Sequence, residues 1–128
     1  MKRANLLYLI CIISENNDLY FFNEKELVDI KNKIESIELK FKFYQIKKLD
    51  FKNKEINELD MNFIFQYNLL NLEYLNLENN KITNEGIKAL QNKSLINIKY
   101  LNLSNNPIED DGLTYLYYLS NLNELIFT

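Results

Sequence analysis

Much acid–base and nucleophilic chemistry at neutral pH runs through histidine, and this chain of 128 residues has none. That removes imidazole as a general base, as the activator of a serine or cysteine nucleophile, and as a metal ligand. The single cysteine, Cys11, lies in the apolar run Ala4–Ile13, where a thiol is buried and inert. Being alone, it forms no intramolecular disulfide, which fits a reducing compartment. Two glycines, Gly86 and Gly112, are too few for a phosphate-binding loop or a dinucleotide fingerprint. Glu109-Asp110-Asp111 is an acidic cluster without the ligand spacing of a calcium loop, and acids at the start of a helix explain it. Tyr115, Tyr117 and Tyr118 fall in a helical stretch where half-burial with a wet hydroxyl is ordinary. The sequence predicts a protein that is not an enzyme, with no catalytic residue, no metal site and no cofactor.

The chemistry that remains belongs to a pattern written twice. Leu72-Glu73-Tyr74-Leu75-Asn76-Leu77-Glu78-Asn79-Asn80-Lys81-Ile82 returns 26 residues later as Ile98-Lys99-Tyr100-Leu101-Asn102-Leu103-Ser104-Asn105-Asn106-Pro107-Ile108. The match continues to Gly86 with Gly112 and to Leu90 with Leu116. Together these read L-x-x-L-x-L-x-x-N-x-I-x-x-x-G-x-x-x-L, which resembles the leucine-rich repeat. The trailing half is similar to the ribonuclease-inhibitor-like branch. The resemblance implies an α/β leucine-rich-repeat solenoid, with a curved parallel sheet on the concave side and helices on the convex side, used to recognise proteins. It also implies an asparagine ladder through Asn80 and Asn106 that pairs backbone groups where the chain leaves each strand.

In the same register, Ile46, Leu49, Phe51 and Ile56 lie 26 residues before Leu72, Leu75, Leu77 and Ile82. Met61 and Ile64 stand where Ile87 and Leu90 do. This first repeat departs twice: Lys54 replaces the ladder asparagine and Asp60 replaces the glycine, so an irregular turn and helix start are expected. Leu122, Leu125 and Phe127 supply a last partial repeat, now at a spacing of 24. Residues 1–128 thus form one domain, 1–43 an N-terminal cap and 44–128 about three and a half repeats. Parallel strands are expected near 48–51, 74–77, 100–103 and 124–127, with helices near 58–67, 85–92 and 111–119. Asn57, Asn84 and Asp110 read as N-caps. Glycine inside a first helical turn costs up to about 1 kcal/mol against alanine, so Gly86 and Gly112 imply close approach to the neighbouring repeat.

Ahead of the repeats, Lys2-Arg3 and the apolar Ala4–Ile13 look like the start of a signal peptide. The following Ser14-Glu15-Asn16-Asn17-Asp18 offers no small-x-small cleavage site, and the apolar run is too short to span a membrane. A buried first element of the cap is favoured, which places the protein in the cytoplasm. A true signal would make it a secreted repeat protein of a bacterium or parasite acting on a host. Asn23 with the stripe Leu27, Ile30, Ile34 predicts a helix over 24–35, and the alternation Ile37–Phe43 predicts a strand. With 47% hydrophobic and 26% charged residues the chain can build a core. Residues 1–54 carry 11 Lys/Arg against 8 Asp/Glu, while 55–128 carry 4 against 10. The basic stretch at 40–54 suits nucleic acid, but a pI of about 5.0 argues against that partner.

Strand alternation turns three columns outward: Lys48–Tyr74–Tyr100, Asp50–Asn76–Asn102 and Lys52–Glu78–Ser104. Lys47–Glu73–Lys99 runs beside them with alternating charge. Exposed tyrosine is a favoured interface anchor, so these columns are the expected surface for a protein partner. The last strand presents unpaired N–H and C=O groups, which gives an alternative: assembly with a second copy, or a partner docking at that edge.

Overall fold

A computed structural model describes residues 46–66, 68–91 and 95–128. The expected cap over 1–43, including Cys11, the apolar segment 1–13, the helix at 24–35 and the strand Ile37–Phe43, lies outside the described residues.

Four short strands, β1 (Lys48–Asp50), β2 (Tyr74–Asn76), β3 (Tyr100–Asn102) and β4 (Glu124–Ile126), form one sheet in that order. Every neighbouring pair is parallel. The register places Leu49 beside Leu75, Leu75 beside Leu101, and Leu101 beside Leu125, reproducing the sequence spacing. The chain returns between strands through α1 (Glu58–Ile64), α2 (Asn84–Ile87) and α3 (Asp110–Leu113). A 3₁₀ segment extends α2 over Lys88–Leu90, and another extends α3 over Thr114–Tyr118. The result is an α/β solenoid of parallel strands and packed helices.

Leucine spacing explains the core. Leu49, Phe51, Leu75, Leu77, Leu101 and Leu103 point to one face of the sheet and are wholly buried against Ile56, Met61, Ile64, Ile82, Ile87 and Leu90. Full burial of each such side chain contributes roughly 1.5–3 kcal/mol, and one repeat alone has nothing to bury it against. Leu69, Leu95 and Leu119 form a further buried column where the chain re-enters each strand.

Polar side chains close the turns. Asn80 Oδ1 accepts from the N–H groups of Lys54 (3.0 Å) and Ile56 (2.9 Å) in the preceding repeat. Its Nδ2 donates to the carbonyls of Phe51 (2.9 Å), Leu77 (2.9 Å) and Glu78 (3.2 Å). Asn106 repeats the arrangement, accepting from Ile82 N–H and donating to Leu77, Leu103 and Ser104. Each rung therefore fastens its own turn and the turn before it. Asn97 and Asn121 make a second set of links on the other side of the strands, to the carbonyls of Leu70 and Ile96.

In the first repeat the irregular turn is present. Asn53, Asn79 and Asn105 all take positive φ, which asparagine tolerates, but Glu55 adds a second left-handed residue at φ 56°. The helix start, by contrast, is regular. Asp60 at the glycine position completes a capping box: its N–H donates to Asn57 Oδ1, and its carboxylate accepts from Asn57 N–H, both at 3.0 Å. Asn84 and Asp110 differ from expectation, for they stand one residue inside their helices, behind Thr83 and Glu109. Asn84 is occupied elsewhere, accepting from Glu109 N–H of the next repeat at 2.9 Å. That side chain also explains Gly112, where a Cβ would overlap Asn84 Oδ1 and lie 2.9 Å from its Cγ. At Gly86 a Cβ would come within 3.0 Å of Ile82 Cγ2 and 3.6 Å of the Glu58 Cα in the preceding repeat.

Candidate protein-binding face

On the face opposite the leucines, strand register brings the expected columns together. Lys48 lies beside Tyr74 and Tyr74 beside Tyr100, and β4 extends this row with Glu124. The Tyr74 and Tyr100 rings stack at 4.4 Å between centroids with 1° between planes, and Lys48 Nζ sits 4.5 Å from the centre of the Tyr74 ring. A 26-residue repeat with Tyr at the same position produces this directly, because adjacent parallel strands hold equivalent side chains at stacking distance. Such a ring pair contributes about 0.5–1.5 kcal/mol, and the cation adds about 0.5–1 kcal/mol at an exposed site. Both rings are half-buried and Lys48 is exposed. Burial first, then the Tyr100 hydroxyl and the Asp50 carboxylate, raise the pKa of the Tyr74 phenol.

The Asp50–Asn76–Asn102 row does different work. Asp50 Oδ1 accepts from Lys52 N–H, Asn76 Oδ1 from Glu78 N–H and Asn102 Oδ1 from Ser104 N–H, each at 3.0 Å. A short side chain bonding the backbone two residues on closes the strand end. Asn76, Asn102 and Ser104 are buried, so a partner on this face does not reach them directly. Asp50 is half-buried, and Ile126 continues its row on β4. In the third row Lys52 pairs with Glu78 at 3.4 Å, and Glu78 also accepts from Asn102 Nδ2 at 3.2 Å. Beside the face, Lys99 reaches Glu73 at 3.5 Å. Exposed pairs of this kind are worth about 0–1 kcal/mol and chiefly fix side-chain direction.

The surface offered to solvent is therefore Lys48, Lys52, Tyr74, Glu78 and Tyr100 with Asp50, Glu124 and Ile126 at its margins. Glu124 and Ile126 were not in the sequence-derived columns. The 24-residue spacing of Leu122, Leu125 and Phe127 contained that signal, since it sets β4 in register. Placing Asp50, Asn76 and Asn102 in the outward columns missed their structural use, whose signal is an Asp or Asn two residues before the turn in all three repeats.

Among the described residues, no group of three or more His, Cys, Asp or Glu side chains gathers where it could hold a metal ion. No helix among them is long and apolar enough to cross a membrane. Residues 68–90 and 94–116 each match a family model described as Leucine Rich repeat. No curated protein matches the chain. Repeats of this family generally serve as protein-interaction modules, and the family is typically non-enzymatic.

Proposed function

We propose that this leucine-rich repeat protein is a non-enzymatic binding module that recognises a protein partner through the concave, sheet side of its solenoid. The observation that carries the reading is the Lys48–Tyr74–Tyr100 stack. Three large side chains are fixed in one row by backbone register, so little conformational entropy is lost when a partner covers them. Tyrosine held this way presents apolar area with a polar rim, the usual make-up of an interface anchor. Lys52 and Glu78, of opposite charge beside the stack, set the orientation of a partner more than its affinity. The buried asparagines behind them keep the strand ends rigid, which holds the anchors in place.

The test uses the wild-type chain as bait, identifies a protein that it retains, and measures by calorimetry the affinity of that protein for wild type and for Tyr74→Ala/Tyr100→Ala. The double variant should bind the retained protein with a loss above about 1 kcal/mol, while its circular dichroism stays that of the folded solenoid. Equal affinity of both chains for that protein would remove the sheet face as its docking site.

A further inference from the structure

Outside the sheet face, β4 groups apolar side chains that are less covered than their counterparts in the earlier repeats. Leu125 is 41% exposed, whereas its equivalents Leu49, Leu75 and Leu101 are wholly buried. Leu122 and Phe127 beside it are only half-buried, while Leu72, Ile98, Phe51, Leu77 and Leu103 at the same repeat positions are not exposed at all. Backbone groups on this edge are ordered in a particular way. At each inner boundary one carbonyl, that of Lys47, Glu73 or Lys99, accepts two N–H groups from the next strand. The N–H of Phe51, Leu77 or Leu103 then donates across to that strand at 2.8 Å. On β4 the equivalents are the Asn123 carbonyl and the Phe127 N–H. Because Glu124 and Ile126 turn their backbone groups toward β3, Leu125 turns both of its own outward.

The outward order along β4 is thus acceptor at 123, donor and acceptor at 125, donor at 127. Reversing the strand and exchanging donors for acceptors returns the same order, so this edge is complementary to itself. We propose that two copies of the chain associate through antiparallel pairing of β4 about a two-fold axis at Leu125. The two Leu125 residues exchange both hydrogen bonds, and each Asn123 carbonyl receives the other copy's Phe127 N–H. Each Glu124 then lies opposite Ile126 of the second copy, so no like charges face each other across the axis. The Leu125 side chains meet at the axis with Leu122 and Phe127 flanking them, giving a closed dimer. The sheet faces of both copies remain open, so this pairing is independent of the partner reading above.

A charge exchange at the axis tests the geometry. Sedimentation of the wild-type chain should show a dimer that dissociates on dilution, with a Kd of about 100 µM or tighter. Leu125→Glu and Leu125→Lys, each placing like charges against themselves, should each dimerise at least about tenfold more weakly. Mixed in equal amounts, the two variants should recover a heterodimer, which also shows that both are folded. In the wild type, amide exchange at Leu125 and Phe127 should slow as concentration rises. A wild-type monomer throughout, a variant that dimerises as tightly as wild type, a mixture that stays monomeric while both variants keep the wild-type circular dichroism, or exchange at these amides independent of concentration would overturn the proposal.

Discussion

Replacing Asn80 by alanine probes the joint between repeats. Asn80 makes five hydrogen bonds with only 8% of its surface exposed. Not all five are lost without substitute. Leu77 O keeps Asn106 Nδ2 at 2.8 Å, and Glu78 O keeps Asn53 N–H at 3.1 Å. The N–H groups of Lys54 and Ile56 and the carbonyl of Phe51 lose the Asn80 side chain, and of these Ile56 and Phe51 are buried residues while Lys54 is half-buried. An unsatisfied buried polar group costs about 1–3 kcal/mol, so Asn80→Ala should lose about 2–5 kcal/mol. At Asn106, which is half-buried and so nearer to water, the comparable losses are Ile82 N–H and the Leu103 carbonyl, and the cost should be about 1–3 kcal/mol. Lys54→Ala, at the rung position that has no asparagine, should change stability by less than about 0.5 kcal/mol. Urea midpoints at unchanged m-value provide the measurement. Equal losses at positions 54, 80 and 106, or a loss under about 1 kcal/mol for Asn80→Ala, would refute the ladder's role.

Three further outcomes follow from particular contacts. Glu55 holds a left-handed backbone at φ 56°, so Glu55→Gly should gain about 1 kcal/mol by urea denaturation, and a loss would contradict the strain. Gly112→Ala should lose about 1–2 kcal/mol by displacing Asn84, and less in an Asn84→Ala background; additive losses in the four-member cycle would argue against the contact. The Tyr74 phenol titrates above the ordinary value of 10.0, so its neutral form is the one that folding favours. Its contribution is fully present below pH 10.0 and is lost as pH rises through the raised folded value. A wild-type minus Tyr74→Phe tyrosinate titration with its midpoint at or below 10.0 would contradict this.

Register was the most legible part of the molecule. With Leu75 and Leu101 at equal places in a repeated pattern, parallel stacking forces Tyr74 onto Tyr100 and Asn80 onto the turn before it. Helix starts were less legible, because Asn84 can cap its own helix or bridge to the next repeat, and only three-dimensional neighbours decide between them. Asp60 misled for a related reason. Its departure from the glycine position looked like a defect, but three residues after Asn57 it completes a cap. Solvent access within the sheet face was not legible either. Alternation assigns Asn76, Asn102 and Ser104 to the outward side, but all three are buried, and the Asn76 and Asn102 side chains are bonded to the backbone two residues on.

The central claim, that a protein docks on the Tyr74–Tyr100 row, is tested most directly by site-specific photocrosslinking. A photoreactive phenylalanine analogue is placed at Tyr100 in one preparation and, in another, at Tyr117, which is 67% exposed in the 3₁₀ segment after α3. Both are irradiated with the protein that wild-type bait retains. The geometry predicts a covalent adduct from position 100 and none from position 117. An adduct from position 117 with none from position 100 would contradict the claim.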